Sequence, residues 1–420
     1  MSRARREAFL SGLFDAAVAA ADPKVTLAGH LPKPPKGRTI VVGAGKGAAQ
    51  LAQAFERLWP GPLEGVVVTR YGYAAPCARI KVMEAAHPVP DAAGLDAAQA
   101  LKAAVTGLGP DDLVVALVCG GGSSLLPDPP EGLALADLQA LNEALLASGA
   151  PISVMNDIRK RFSGINGGRL AELAAPAQVC NLIVSDVPGD DPREVASGPT
   201  VPGRPSAAEV QALVKSRGIA LPDRLMAHLA AQDPDAATPT DTRVSTQIIA
   251  SAAISLEAAA QAARAQGVNA WVMSDRIEGE ARDVAQVHAA LALQAADTGI
   301  PFPAPFVMLS GGETTVTLRH KGRGGRNAEF QLALSLALEG SDGITALAAD
   351  TDGIDGSEDN AGAFADGTTT TRMRAAGIDP AAMLQGNNAF TAFKGIDALF
   401  MTGPTGTNVN DFRAILIGDI

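Results

Sequence analysis

The feature that most constrains the fold is an apolar run that recurs along the chain and is followed each time by an Ala- and Leu-rich segment. The runs are rich in β-branched residues and end in Gly, Asp or Ser. They occur at 39–47, 65–72, 113–124, 181–191, 245–253, 270–275, 305–314 and 344–356. Strands that alternate with helices in this way predict an α/β fold, with parallel strands joined by crossover helices.

The length of the chain predicts more than one domain. A chain of 420 residues is too long for one compact core of ordinary size, so we expect two α/β domains. The stretch AAQDPDAATPTDTR at 230–243 has the composition of a surface linker. It predicts a first domain over residues 1–240 and a second over 241–420, with a long surface loop inside a single domain as the alternative.

The net charge and the cysteine content indicate which partners and which cellular compartment to expect. The net charge of −11 is opposite to that of a protein that binds a nucleic-acid backbone, so we expect no nucleic-acid partner. The three cysteines, Cys77, Cys119 and Cys180, lack the spacing of a zinc site. This pattern is typical of a reducing compartment, and we expect a cytoplasmic protein.

The N-terminus resembles a signal peptide in its basic start and its Ala-rich end. Asp15 interrupts the apolar part, however, and the apolar residues share one face at helical spacing: Phe9, Leu10, Leu13, Phe14, Ala17 and Val18. We therefore predict an amphipathic helix of the mature protein. No apolar run approaches the length of a membrane span, so no membrane partner is expected.

The first glycine-rich turn, GAGKGA, follows a predicted strand. Gly43, Gly45 and Ala48 fit the G-x-G-x-x-G/A pattern of a dinucleotide site, but about 20 residues further on the chain has Thr69 and Arg70 instead of an acidic residue. NADP stays an alternative ligand of this turn, because Arg70 could contact its 2′-phosphate. Lys46 inside the turn suits charge neutralisation of a phosphate, the alternative being a lysine that points to solvent.

The second glycine-rich turn is CGGGSS. Its backbone N–H groups could surround an anion, and the residues concerned are Gly120, Gly121, Gly122, Ser123 and Ser124. No G-K-[ST] follows, so the turn is not a Walker A loop, and a tight turn between strand and helix is the alternative.

Acidic residues follow three further predicted strands. Asp186, Asp190 and Asp191 share one loop, where carboxylates could hold Mg²⁺ or accept a proton from a hydroxyl. In the second half, Gly311 and Gly312 precede Glu313, and a basic segment follows with Arg319, Lys321, Arg323 and Arg326. That segment could bind a polyanion. Asp350, Asp352 and Asp355 lack the closing Glu of an EF-hand, and among the histidines only His87 lies in a distinctive loop.

Taken in order, the motifs resemble those of the class II glycerate 2-kinases, whose C-terminal part is the MOFRL domain. The matching segments run across almost the whole chain: GAGKGA, HPVPD, CGGGSSLL, SDVPGDDPREVASGPT, EGEARDVA, LSGGETTV, GRGGRNAEFQLALSLAL, DTDGIDG and GPTGTNVND. No single segment is decisive, and the ordered set is specific.

The resemblance implies transfer of a phosphoryl group from ATP, with Mg²⁺, to the 2-hydroxyl of D-glycerate. The implied site is a cleft between a Rossmann-like N-terminal domain, with helices on both faces of a parallel sheet, and an α/β MOFRL domain. The family's catalytic residues fall on Lys46, Asp190 and Arg326. Nucleotide and phosphate contacts are expected at Gly43, Gly45, Gly120, Gly121, Gly122, Ser123, Ser124, Gly311, Gly312 and Glu313, and metal contacts at Asp190, Asp350 and Asp352.

Three positions depart from the family pattern. Arg161 stands where a histidine is expected, Asn166 replaces a lysine, and Gly203 stands where an acidic residue is common. Such changes could alter substrate preference without removing kinase chemistry. Two other functions stay open from the residues alone, an NADP-dependent reductase of hydroxypyruvate-type substrates and a non-catalytic metabolite-binding protein.

Overall fold

A computed structural model describes residues 2–232 and 243–420. The chain forms two compact units. The first unit is Pro23–Ile249, and the second unit combines Met1–Asp22 with Ala250–Ile420. Most of the predicted linker, at 233–242, lies outside the described residues, as does the predicted boundary itself.

Helices and strands alternate through most of the chain. The helices are α1 (Arg3–Ala20), α2 (Pro23–Ala28), α3 (Ala48–Leu58), α4 (Ala92–Val105), α5 (Gly122–Leu125), α6 (Leu135–Ala147), α7 (Ile152–Arg161), α8 (Arg169–Leu173), α9 (Ala207–Ser216), α10 (Asp223–Ala230), α11 (Ala252–Ala265), α12 (Ala281–Thr298), α13 (Arg326–Ala337), α14 (Thr369–Ala375), α15 (Pro380–Gln385) and α16 (Ala389–Lys394). The strands are β1 (Thr39–Ala44), β2 (Glu64–Arg70), β3 (Ile80–Ala85), β4 (Leu113–Cys119), β5 (Gln178–Val184), β6 (Val244–Ala250), β7 (Asn269–Glu280), β8 (Phe306–Thr315), β9 (Ile344–Asp350), β10 (Gly362–Asp366), β11 (Leu399–Phe400) and β12 (Asp411–Ile417). In the described parts of the chain, no helix has the length and apolar character needed to cross a membrane.

The first unit is built on a six-stranded sheet in the order β3-β2-β1-β4-β5-β6. Strands β1 to β5 pair in parallel, and every residue of β1 and β4 is buried. Strands that are buried on both faces need helices on both sides of the sheet. This order is that of the doubly wound dinucleotide-binding fold, so the predicted Rossmann-like parallel sheet is confirmed.

The second unit contains a mixed sheet in the order β11-β10-β9-β12-β8-β7. Only the β7–β8 pair is parallel, whereas β12 runs antiparallel between β8 and β9, and β10 is antiparallel to both of its neighbours. The expectation of parallel strands throughout is therefore wrong for this sheet. The cause is two strands, β10 and β12, which the repeated pattern did not include and which run antiparallel to their neighbours.

The observed units differ from the predicted residue ranges at two places. Strand β6 falls in the range predicted for the second domain, yet it pairs at the edge of the first sheet. Helix α1 falls in the range predicted for the first domain, yet it belongs to the second unit. There the ring of Phe14 packs edge-on against Phe400 and Phe412. The predicted amphipathic helix is confirmed, because its apolar residues from Phe9 to Ala17 are the buried ones.

The packing of α1 predicts that the second unit depends on the N-terminus for its stability. Leu13 is fully buried in the same cluster as Leu256 of α11. We expect Leu13→Ala to lower the free energy of unfolding of the second unit by about 2–5 kcal/mol, whereas Asp15→Ala on the exposed face should change it by less than about 0.5 kcal/mol.

The chain has two tryptophans, so replacing Trp59 of the first unit leaves Trp271 as the fluorescence reporter for the second. Urea unfolding in that background measures the effect. Equal midpoints for Leu13→Ala and Asp15→Ala would contradict the assignment of α1 to the second unit.

Candidate active site

Polar residues of the first unit gather where its parallel strands end. Lys46 follows β1, His87 follows β3, the Gly120–Ser124 loop follows β4, and Asp186 and Asp190 follow β5. The carboxyl ends of parallel strands lie at one edge of a sheet, which is where open α/β sheets bind ligands. The topology thus brings together most of the residues that the sequence singled out in this half of the chain.

The glycines of the GAGKGA turn let β1 lie close to β4. A Cβ atom on Gly43 would lie 2.4 Å from the carbonyl oxygen of Leu117, and one on Gly45 would lie 2.4 Å from that of Cys119. The N–H of Gly45 donates to Val68 O (3.2 Å) and that of Lys46 to Gly120 O (2.9 Å). The next N–H, of Gly47, donates to Cys119 Sγ (3.2 Å). The backbone N–H groups of Gly45, Lys46 and Gly47 are therefore already hydrogen-bonded within the protein. The side chain of Lys46 is the group of this turn that can bind a ligand.

The Gly120–Ser124 loop differs from that turn in its backbone hydrogen bonds. Across the described residues, none of its five N–H groups donates to a carbonyl of another segment. Gly121 adopts left-handed backbone (φ 81°), which glycine tolerates without strain. The loop is held in place by its side chains, since Ser123 Oγ lies 2.8 Å from Ser197 Oγ and Ser124 Oγ donates to Gly121 O. It is the better candidate of the two turns for binding an anion.

The loop after β5 carries carboxylates in a constrained backbone. Asp190 is half-buried and has φ of 55°, a left-handed conformation that is uncommon for non-glycine residues and that Asp and Asn adopt more readily than most. Its neighbour Asp191 is paired with Arg193. Asp186 lies against Gly120, where an added Cβ would be 1.7 Å from Oδ2. Asp190 is thus the predicted catalytic carboxylate, and Asp186 is a neighbour that the sequence did not distinguish from it.

The second unit holds Arg326, the first residue of α13, in a set of carboxylates. Its Nε donates to Asp411 Oδ1 (2.6 Å), its Nη2 to Asp350 Oδ2 (2.7 Å), and its Nη1 lies 3.5 Å from Glu313 Oε1. Burial alone would lower the pKa of Arg326, but Asp411, Asp350 and Glu313 together raise it above its usual value. The guanidinium is therefore a permanent cation fixed in one orientation.

Asp411 is the central residue of this cluster. As the first residue of β12 it pairs with both Gly312 of β8 and Asp350 of β9. Its carboxylate accepts hydrogen bonds from Asn327 Nδ2 (2.9 Å), from the Thr314 N–H (3.0 Å) and from the fully buried Arg413. Burial would raise its pKa, yet Arg413 and Arg326 hold the pKa below its usual value. Asp411 ends the matching segment GPTGTNVND, but its sequence did not indicate the contact with Arg326, because that contact depends on the direction of β12.

Two other carboxyls of the cluster have raised pKa values. Burial raises the pKa of Asp350 well above its usual value, with Asp352 and Asp411 adding to the effect and Arg326 opposing it. Burial also raises the pKa of Asp355 to about 6. Asp355 accepts hydrogen bonds from the backbone N–H groups of Asn327 (2.9 Å) and Ala328 (2.8 Å) and so caps α13. This cap fixes the helix start from which Arg326 projects.

The other predicted contacts of the second unit have a packing explanation. A Cβ on Gly312 would lie 2.2 Å from Ile277 O, so this glycine permits the close approach of β7 to β8. Gly311 lies in the same buried strand, and Glu313 is half-exposed beside Arg326. The predicted metal residues divide between the units, with Asp190 in the first and Asp350 and Asp352 in the second. Within the described ranges, no three His, Cys, Asp or Glu side chains are grouped as a metal site requires.

Comparison with known proteins gives the class of the chain. Residues 9–230 match a family model described as a domain of unknown function, DUF4147, and residues 306–411 match the model of the MOFRL family. The chain is therefore a two-domain protein, in which a doubly wound DUF4147 domain precedes a MOFRL domain.

Relatives along the full length give the family. A protein of Agrobacterium vitis, provisionally named a hydroxypyruvate reductase, is 53% identical over 97% of this chain and 94% of its own. The glycerate 2-kinase of Pyrococcus horikoshii is 37% identical over 91% of this chain and 88% of its own. The crystal structure of the glycerate kinase of Thermotoga maritima matches with a TM-score of 0.90 at 34% identity, over 98% of this chain and 99% of that one. The chain belongs to the class II glycerate 2-kinase family.

The Asp411 network predicts unequal effects for two carboxylates that contact Arg326. Asp411→Asn removes the charge that compensates buried Arg413, so we expect the free energy of unfolding of the second unit to fall by about 3–5 kcal/mol. Glu313→Gln removes a half-exposed carboxylate and should change it by less than about 1 kcal/mol. Urea unfolding reported by Trp271 distinguishes them, and similar losses for both would contradict the central role of Asp411.

The raised pKa of Asp355 predicts a pH dependence of stability. The carboxyl titrates near pH 6 in the folded chain and at its usual 3.8 when unfolded, so its contribution to stability is full below about pH 4 and is lost as pH rises through 6. Asp355→Asn should remove that part of the pH dependence, making the free energy of unfolding change less between pH 4 and pH 6.5. An unchanged difference between the two pH values would show that Asp355 ionises normally.

Proposed function

We propose that the protein is a glycerate 2-kinase that transfers a phosphoryl group from ATP to the 2-hydroxyl of D-glycerate, giving 2-phosphoglycerate and ADP. The observation that carries this proposal is in the first unit. The side chain of Lys46 and five backbone N–H groups not donated to another segment stand together at the carboxyl edge of the parallel sheet. The names of the Pyrococcus and Thermotoga relatives supply the acceptor.

Phosphoryl transfer requires positioned positive charge more than covalent chemistry, because the transferred group carries its negative charge through the transition state. Lys46 is the cation of the first unit and Arg326 that of the second. In the proposed reaction both cations stabilise the negative charge of the transferred group.

Asp190 is the proposed partner of the acceptor hydroxyl. Its half-buried side chain follows β5, at the same edge of the sheet as Lys46. It would orient the 2-hydroxyl or accept its proton as the oxygen attacks the γ-phosphorus.

The carboxylates of the second unit do not form a magnesium site by themselves, because no three such side chains are grouped among the described residues. Arg326 and Arg413 both pair with Asp411, and burial raises the pKa of Asp350 well above its usual value. The contacts of Mg²⁺ with Asp190, Asp350 and Asp352 that the family resemblance implies therefore stay a prediction. When bound, magnesium supplies charge neutralisation between the phosphates.

A reductase is the second candidate, favoured by the name of the Agrobacterium relative and by Arg70, whose buried Nε has no hydrogen-bond partner among the described residues. The hydrogen bonds of the Gly43–Gly47 turn argue against it, because a pyrophosphate must approach free backbone N–H groups there. The kinase and the reductase therefore place the anion on different loops.

The kinase proposal predicts a product that depends on Arg326. Phosphorus NMR of purified protein with Mg²⁺-ATP and D-glycerate should show 2-phosphoglycerate, and Arg326→Gln should slow its formation by about 10²–10³-fold. Arg323→Gln is the matched control, since Arg323 lies three residues earlier and pairs with Glu358 at the surface. We expect that variant to stay within about threefold of the parent.

Two results would reject the kinase. One is the absence of 2-phosphoglycerate while the protein oxidises NADPH with hydroxypyruvate. The other is ADP release without any phosphorylated hydroxy acid.

A further inference from the structure

The first unit contains an open cavity of about 410 Å³ that is lined by three arginines. They come from three segments of the chain, because Arg161 ends α7, Arg169 begins α8 and Arg204 lies in the loop before α9. His228 of α10 also lines the cavity. None of its described lining residues belongs to the candidate active site. The volume is that of a cavity for a small ligand.

Arg169 is a half-buried cation whose hydrogen bonds go to neutral groups. Its Nη1 donates to the carbonyl oxygens of Lys160 (2.7 Å) and Asn166 (3.0 Å). These bonds fix the guanidinium in the cavity wall and leave its charge without a counterion. A cation that is partly withdrawn from water is stabilised by a negative charge in contact with it.

The two carboxylates that act on Arg169 are each paired with another cation. Glu172 Oε1 accepts a hydrogen bond from Arg204 (2.7 Å), and Asp128 Oδ2 accepts one from Lys102 (2.8 Å). Their negative charge is therefore shared with those partners, and Arg169 receives only part of it.

The balance of charge at Arg169 is the reverse of that at Arg326. The pKa of Arg169 is lowered to about 10, first by burial and then by the neighbouring cations Arg204 and Arg161. At Arg326 the carboxylates outweigh burial, and the pKa is raised. The cavity therefore has a positive environment, and an anion bound there would supply the charge that Arg326 obtains from its own chain.

We propose that this cavity binds a small phosphorylated molecule, with its phosphate group on the guanidiniums of Arg161, Arg169 and Arg204. Guanidinium groups present paired N–H donors that match the oxygens of a phosphate. A phosphate monoester carries between one and two negative charges at neutral pH, which suits three cations better than a single carboxylate does. The cavity is larger than a phosphate group, so the rest of the molecule has space in it. This site goes beyond the proposed kinase function and does not depend on it.

His228 is the reporter for this site, because its ring lies in the cavity wall. Burial and, after it, Arg161 lower the pKa of His228 below its usual value. The test is an NMR pH titration of the histidine imidazoles in the full-length chain, with and without pyrophosphate at constant ionic strength. We expect pyrophosphate to raise the pKa of His228 by about 0.5–1.5 pH units, because an anion in the cavity favours the imidazolium.

A second histidine controls for general effects of the anion. His30 lies in the same unit, with Nδ1 2.6 Å from the carbonyl oxygen of Thr26, and we expect its signal not to move with pyrophosphate. A His228 signal that does not respond at the highest pyrophosphate concentration would overturn the proposal. Equal changes at His228 and His30 would do the same.

Two variants test the arginines, with the affinity for pyrophosphate taken from the His228 signal. Arg161→Gln and Arg204→Gln each remove one guanidinium, and we expect each to weaken binding about 10- to 100-fold. Arg217→Gln is the matched control, because it removes the same charge from an exposed position after α9, and it should change the affinity less than about twofold. Equal affinities in all three variants would contradict binding by these arginines. Two cavity variants keep the test valid if one of them does not fold.

Discussion

The carboxylate of Asp411 is the interaction on which the second unit depends. It accepts hydrogen bonds from Arg326 and Asn327 of α13, from Thr314 of β8, and from Arg413 of its own strand. The buried carboxylate of Asp411 thereby joins helix α13 to two adjacent strands. Because charges in this environment are costly unless they are paired, the cluster tolerates few alternatives in geometry. The direction of the Arg326 guanidinium follows from that constraint rather than from the flexibility of a surface arginine.

The positive charge of the first unit is placed in a different way, by the loops that follow its parallel strands. Its parallel sheet places five strand ends at one edge, and close packing of β1 on β4 consumes the N–H groups of the first glycine-rich turn. The N–H groups of the second turn, after β4, are not donated to another segment, and Lys46 and His87 pack against Gly121 within it. Two loops with similar glycine content therefore have different roles. Gly43 and Gly45 permit the close contact of β1 with β4, whereas Gly121 permits the left-handed backbone of the second turn.

Much of this was predictable from the sequence, and the reasons for the failures are physical. Parallel strands with crossover helices give a repeated pattern of apolar runs, and the first sheet follows it. The second sheet departs from it because β10 and β12 run antiparallel to their neighbours, and an apolar run does not indicate the direction of its strand. The apolar face of α1 predicted the helix, but it did not indicate which of the two units the helix packs against. Glu313, Asp350 and Arg326 lie together in the second unit. Asp411 and Asn327 belong to quoted segments, but their contacts with each other and with Arg326 come from the direction of β12 and from the start of α13, which the sequence does not show.

The central claim is that Lys46 of the first unit and Arg326 of the second act as one functional unit in the proposed phosphoryl transfer. A double-mutant cycle tests it most directly, with kcat/KM for 2-phosphoglycerate formation measured in Lys46→Met, Arg326→Gln and the double variant. Residues that act as a unit give non-additive losses, so the account predicts that the double variant is about as impaired as the worse single variant. Losses that multiply across the two substitutions would contradict it, because they would show that the two side chains contribute independently rather than as one functional unit.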